Sequence, residues 1–296
     1  MNPLYILLIF LNFASLHTAN SQHKIEYDLK KGAIYKVEQT AVQNIVQKID
    51  STEHFMTNTL GGTFVMEVVN VEDGKFIIDT NFETFKLKTE SNIYGVLTNL
   101  DTSILPIDEN DIEAKIFQGL IGAKFQMVLL KTGKIESVTG VENLVSSMLN
   151  QVEFDDDFTK ALIQKSVAKE FNNTELLESL QQFTYIYPET KIKVNQTWKN
   201  SYTGSVTANN TWTLTNYSKD AIDLKSIANV QLRTNDETIL MELQGDQQTV
   251  AIAHTKTGFI NSMVVTQQVQ GITIMRDMNN VEVPTTLTST ITYKSL

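Results

Sequence analysis

Apolar residues recur at every second position through most of this 296-residue chain, and that period constrains the fold more than any other feature. After Gly61-Gly62, the residues Phe64, Met66 and Val68 share one parity, Asp73-Gly74 interrupts it, and Phe76, Ile78, Thr80 and Phe82 resume it. Alternation on both sides of an Asp-Gly pair predicts an antiparallel hairpin with one buried face. Beyond Glu83-Thr84 the parity moves to Phe85 and Leu87, the signature of one extra residue in a strand. A β-bulge is expected there, and long bulged strands suit a curved sheet. Later in the chain Trp212 and Leu214 alternate with threonines. Ile222, Leu224, Ala228, Val230 and Leu232 keep one parity, as do Ile239, Met241 and Leu243, and the last run holds Leu287, Ile291 and Tyr293 after Pro284. Threonine fills the intervening positions, where its branched side chain fits the half-exposed face of a pleated sheet.

Between these β-rich stretches the period changes. Val141, Leu144, Val145, Met148, Leu149 and Val152 are spaced for one face of a helix that starts after Gly140. A second helix is expected from Asp155-Asp-Asp157, burying Phe158, Ala161, Leu162 and Phe171. A third, capped at Thr174, carries Leu176, Leu177 and Leu180, and Pro188 closes the section. A shorter helix after Asp108 turns Ile112, Ile116 and Phe117 inward. The expected fold is therefore α+β: two mainly antiparallel curved sheets with a helical layer that buries its apolar faces on them. In residue terms, a β-rich half spans 22–140, the helical section 141–187 and a second β-rich half 188–296.

Met1 to Ser21 carries no Lys, Arg, Asp or Glu, and its apolar run Leu4–Leu11 is followed by Ala19-Asn20-Ser21. A short apolar run ending in small residues predicts a secretory signal peptide over residues 1–21, cleaved after Ser21. The run is shorter than the roughly 20 residues that span a bilayer, and no other stretch is long and apolar enough for a transmembrane helix. The net charge of −10 argues against nucleic acid, which is held by basic patches. Absence of cysteine excludes disulfides, thiolate metal sites and a cysteine nucleophile. An exported chain without disulfides fits a bacterial envelope. Asn172, Asn195, Asn209 and Asn216 head formal glycosylation sequons, which an Asn- and Thr-rich chain also generates by chance.

The tripeptide Lys-Thr-Gly occurs twice, at Lys131–Gly133 and Lys256–Gly258, each time after an apolar strand. Aligned on it, Phe125 matches Val250, Met127 matches Ile252, Leu129 matches His254 and Ile135 matches Ile260. Near the start of each half, Gly32 and Tyr35 in LKKGAIYKV match Asn195 and Trp198 in IKVNQTWKN. Gly and Asn are the residues that tolerate a left-handed turn. An internal duplication is expected, in which Lys-Thr-Gly marks a turn with glycine at its left-handed position.

The stretches YDLKKGAIYKVEQT, GLIGAKFQMVLLKTGKIESVTGVENL, TYIYPETKIKVNQTWKN and LQGDQQTVAIAHTKTGF resemble an uncharacterised family of exported bacterial envelope proteins. That family shows a glycine-aromatic opening, a G-x-x-F strand leading to a K-x-G turn, and a second half starting with valine-glycine-x-x-tryptophan. The resemblance covers nearly the whole chain after residue 21. It implies export and a two-part β-rich fold, and it carries no catalytic residues over; Asn195 stands where the family favours glycine. At the level of fold alone the arrangement resembles bacterial lipoprotein carriers, half-barrels with helices.

Residues that carry chemistry are sparse. Beyond the leader the histidines are His23, His54 and His254, at no metal-binding spacing. His254 draws notice only because it interrupts an apolar row. The acidic groups Asp108–Asp111 and Glu153–Asp157 lack the spacing of a calcium loop and are read as helix starts, where carboxylates favour the dipole. Lys-Thr-Gly also occurs in β-lactamases, but the S-x-x-K and S-D-N partners are absent. The expectation is a non-enzymatic exported envelope protein without cofactor or metal, binding a lipid or other hydrophobic molecule between sheet and helices. An interaction or scaffold module with an envelope protein partner is the alternative, and a hydrolase with a site assembled from distant segments is third.

Overall fold

The computed structural model describes residues 21–49, 52–105, 107, 111–154 and 156–296. The expected leader, Ser21 apart, lies outside them, as do Asp108 and Asp155. The strands β1 (Ile34–Ile49), β2 (Thr52–Glu72), β3 (Lys75–Ser91), β4 (Gly95–Asp101), β5 (Lys124–Leu130) and β6 (Ile135–Thr139) precede the main helical section. After it come β7 (Thr197–Tyr202), β8 (Val206–Tyr217), β9 (Ala221–Asn235), β10 (Ile239–His254), β11 (Ile260–Met275) and β12 (Val281–Ser295). The helices are α1 (Ile112–Gln118), α2 (Val141–Leu149), α3 (Asp157–Glu170) and α4 (Asn173–Thr184).

The two expected sheets are one. Its order is β6-β5-β3-β2-β1-β12-β11-β10-β9-β8-β7, with β4 beside β3. The joint is the pairing of β1 with β12, from Val37 opposite Ser295 to Gln47 opposite Thr285. The second half carries an additional strand after its last meander turn, and that strand covers the free edge of β1 and merges the halves.

The local expectations for the first half hold. Asp73 (φ 50°) and Gly74 (φ 75°) form the β2/β3 turn, both left-handed as a tight two-residue turn requires. The register steps from Thr63–Thr84 to Phe64–Phe82, so Glu83 is the bulged residue. The helices need three corrections. The N-caps are Asp111, Asp156 and Asn172, whose side chains accept from backbone amides of the first turn. The cap of α4 is thus Asn172 and not Thr174. On α3, Phe158 and Leu162 are exposed (78% and 59%), as is Ala161, and Ile163 and Val167 face the core instead. The helix is tethered by its C-terminal half, and choosing the stripe one residue earlier swings the predicted face away from the sheet. Ile112 of α1 is likewise exposed, while Ile116 is buried.

The two Lys-Thr-Gly turns sit between β5 and β6 and between β10 and β11, with Gly133 at φ 86° and Gly258 at φ 66°. Both β5 and β10 run opposite to β1, so the turns lie at the same end of the sheet. Along the sheet the nearest strands of the two turns, β5 and β11, are five strand spacings apart, about 24 Å. Two consecutive amides nevertheless span them: Tyr27 N donates to Lys131 O (2.9 Å) and Asp28 N to Thr257 O (2.8 Å). The sheet is therefore strongly curled, and the segment 23–29 straps its ends together. Tyr27 and Tyr187 fill the strap, both fully buried, edge to face at 5.2 Å. Tyr27 Oη donates to Thr184 O and Tyr187 Oη to Gly258 O.

The matched rows of the proposed duplication do not face alike. Phe125, Met127 and Leu129 are buried, whereas Val250, Ile252 and His254 are exposed; Ala251 and Ala253 point inward instead. The β10/β11 turn holds one residue more before its Lys-Thr-Gly. A slip of one residue flips every side chain of a strand. Leu129 thus corresponds in the fold to Ala253, and the exchange of leucine for His254 disappears.

Two apolar cores lie inside the curl. The larger joins the strap, the helices and the sheet end beside them, and the smaller gathers Tyr202, Ala208, Val230, Leu243, Val269 and Leu287. Between them runs a largely polar rung of successive cross-strand partners from β8 to β1: Asn210, Gln247, Gln267, Ser289 and Gln43, with Ala228 of the smaller core standing between Asn210 and Gln247. Gln267 Nε2 donates to Gln247 Oε1 at 2.7 Å within it.

Candidate functional site

Phenylalanines that each follow an ordinary strand or helix period converge on one place. The inner faces of β2, β3 and β5 bring Phe64, Phe82, Phe85 and Phe125; α1 brings Phe117, α4 brings Phe183, and Phe171 follows α3. With Tyr293 of β12 they surround a cavity of about 420 Å³ between the sheet and the helices. Half of the chain's 14 phenylalanines line it. Such a volume falls in the roughly 300–1,000 Å³ range of small-molecule clefts.

Ring packing explains why the space stays open. Phe64, Phe82 and Phe85 lean on one another at 5.0 and 6.4 Å, Phe85 stacks on Phe117 at 5.1 Å, and Phe183 stacks on Tyr293 at 5.0 Å. Each ring is held by a neighbour at the wall and so cannot collapse into the void without losing a partner. The Glu83 bulge turns Phe82 and Phe85 onto the same surface. Gly62 opposite Phe85 presents no side chain to that surface.

The rim is polar. Gln39, Glu170, Glu175 and Ser179 line it beside half-exposed Leu60, and none of the lining residues is Lys, Arg or His. Burial, together with the carboxylates of Glu178 and Glu170, pushes the Glu175 carboxyl above its ordinary range. Glu178 itself accepts from Ser205 N at 3.1 Å.

The histidines stand elsewhere and apart from one another. His23 stacks on Tyr217 at 3.8 Å and pairs its backbone with Ile192. His254 is exposed at the end of β10. His54 Nε2 lies 2.8 Å from Ser91 Oγ, a serine–histidine pair that local sequence spacing could not show. Ser91 Oγ also accepts from the amides of Ile93 and Tyr94, both at 3.1 Å, which locks the β3/β4 turn. Among the described hydrogen bonds no carboxylate orients the His54 ring, and a nucleophile needs such a base–orienter chain. The expected outcome of exposing the protein to a serine-reactive organophosphorus probe is no adduct at Ser91 by mass spectrometry; an adduct would make the pair an active site. Among the described residues no group of three His, Asp or Glu is placed to hold a metal ion, and no helix is long and apolar enough to cross a membrane.

A family model, described as a family of unknown function (DUF6263), matches residues 73–260. No curated protein matches the chain. Among solved structures, a lipovitellin chain from a study of its lipid–protein interactions matches with a TM-score of 0.51 at 9% identity. That match covers 91% of this chain and 25% of the other, so this chain spans a quarter of the protein it resembles. The likeness is one of fold alone. OmpT, an outer membrane protein of Vibrio cholerae, matches with a TM-score of 0.17 at 8% identity, over 91% of this chain and 99% of that one.

Proposed function

The chain belongs to this family of unknown function, DUF6263, and, with no activity to take from it, we propose that the protein is an exported, non-catalytic envelope protein that binds a lipid or other hydrophobic molecule. The observation that carries the reading is the phenylalanine-lined cavity of about 420 Å³ between sheet and helices. An apolar space of that size gains about 25 cal/mol for each Å² of ligand surface taken out of water. The fold shared with a lipovitellin chain studied for lipid contacts is compatible with this use.

The test is direct. Purified protein is expected to bind a fluorescent apolar probe at one site, and Ser179→Trp, which places an indole at the cavity rim, is expected to weaken it by about tenfold, the equivalent of 1.4 kcal/mol. Absence of probe binding by the native protein, with no apolar molecule in an organic extract of it, would overturn the proposal.

A second reading rests on a different surface. Phe55, Ile93, Tyr94, Val96 and Leu97 are all exposed around the β3/β4 turn, Tyr94 at 70%. Clustered apolar exposure marks interaction sites, and this one favours the alternative of an interaction module with a protein partner of the envelope.

A further inference from the structure

Hydrophobic ligands differ most sharply in the charge of their polar end, and the cavity rim has a definite sign. Glu170 and Glu175 line it and no basic residue does. Among the described ion pairs none reaches either carboxylate. The walls are aromatic, and ring faces attract organic cations. We infer, resting on the cavity reading above, that the ligand is an amphiphile with a cationic, ammonium-type head: its apolar body lies among the phenylalanines and its head sits at Glu170 and Glu175.

Charge and aromatic surface both support this choice. A fatty acid or a phosphate-bearing lipid would bring an anion to two carboxylates, which repel it with no Lys or Arg to offset them. Burial, then the like charges of Glu178 and Glu170, hold the Glu175 carboxyl above its ordinary range, so a cation beside it is favoured. Phe117 and Phe171, edge to face at 6.2 Å, line the same cavity as the two carboxylates and add aromatic surface for an ammonium group. Carboxylates combined with aromatic rings are the chemistry that recognises organic ammonium ions.

Decyltrimethylammonium, decanoate and decanol share one chain length and differ in the charge of the head. Displacement of the apolar probe by each, below its micellar concentration, reads the preference. The cation is expected to bind about tenfold tighter than the anion, with the alcohol between them. In the double variant Glu170→Gln, Glu175→Gln the preference is expected to vanish while decanol keeps its native affinity; these exposed-rim changes leave the fold intact, as the decanol control reports. Equal or tighter binding of decanoate to the native protein, or a cation preference that survives the double variant, overturns the inference and leaves the cavity reading standing. Failure of all three to bind overturns both.

Discussion

Gly133→Ala is expected to destabilise the protein by about 2–5 kcal/mol, from a left-handed backbone penalty of about 1–2 and an overpacking cost of about 1–3. Gly133 has φ 86°, and a Cβ there would overlap the Thr184 carbonyl and press on the Tyr27 ring. Gly258→Ala is expected to behave alike, because its Cβ would strike the Glu26 carbonyl in the strap. Gly32→Ala is the control: φ is 83° but nothing lies within 4 Å of the added carbon, so only the backbone penalty of about 1–2 kcal/mol applies. Urea unfolding of the three variants measures the difference. Equal losses in all three would mean that the turns are not pressed against the strap.

Tyr27→Ala is expected to cost about 3–5 kcal/mol, the range for truncating a buried aromatic residue. Tyr27 is 1% exposed and meets both Tyr187 and Phe259 edge-on. Tyr27→Phe keeps the ring and loses only the bond to Thr184 O, whose oxygen also accepts from Ile186 N, so about 1 kcal/mol is expected. The contrast isolates packing from hydrogen bonding. Thermal unfolding in which the two variants lose similar stability would show that the strap is held by the hydroxyl and not by the ring.

Much of this architecture is legible in the sequence where its cause is local. The Asp73-Gly74 hairpin and its bulge follow from the parity of fewer than 30 residues around one turn. Val141–Leu149 reads as a helix because its buried stripe is unbroken. The left-handed turns at Gly32, Gly133, Asn195 and Gly258 follow from the residue types that tolerate them. What stays hidden is long in range. Val37 and Ser295 are neighbours in the sheet, and no short period encodes that pairing. The β10 strand is disguised because its inward positions Gly245, Gln247 and Thr249 are not apolar. Segment 23–29 does alternate, with Ile25, Tyr27 and Leu29 buried and Lys24, Glu26 and Asp28 between them, but a local period does not say that the segment bridges two distant turns.

The candidate site is less legible still. Each phenylalanine is explained by the strand or helix that carries it, and the expectation of an apolar ligand between sheet and helices names no residue. Only the closing of β3 against α1 and α4 shows that Phe85, Phe117 and Phe183 border one space. His254 shows the opposite failure. A one-residue difference in turn length placed it against an inward row, and the fold puts it on the outside.

The joining of β1 to β12 sets an order of events in folding. β1 is among the first strands made, yet one of its two edges stays without a partner until the last strand emerges, more than 230 residues later. During that interval the chain exposes the edge of β1 over Val37–Gln47 that β12 later pairs, the kind of edge that recruits other chains. Vulnerability to aggregation thus lasts until β12 docks, so the arrival of the last strand is the step that closes this edge against other chains.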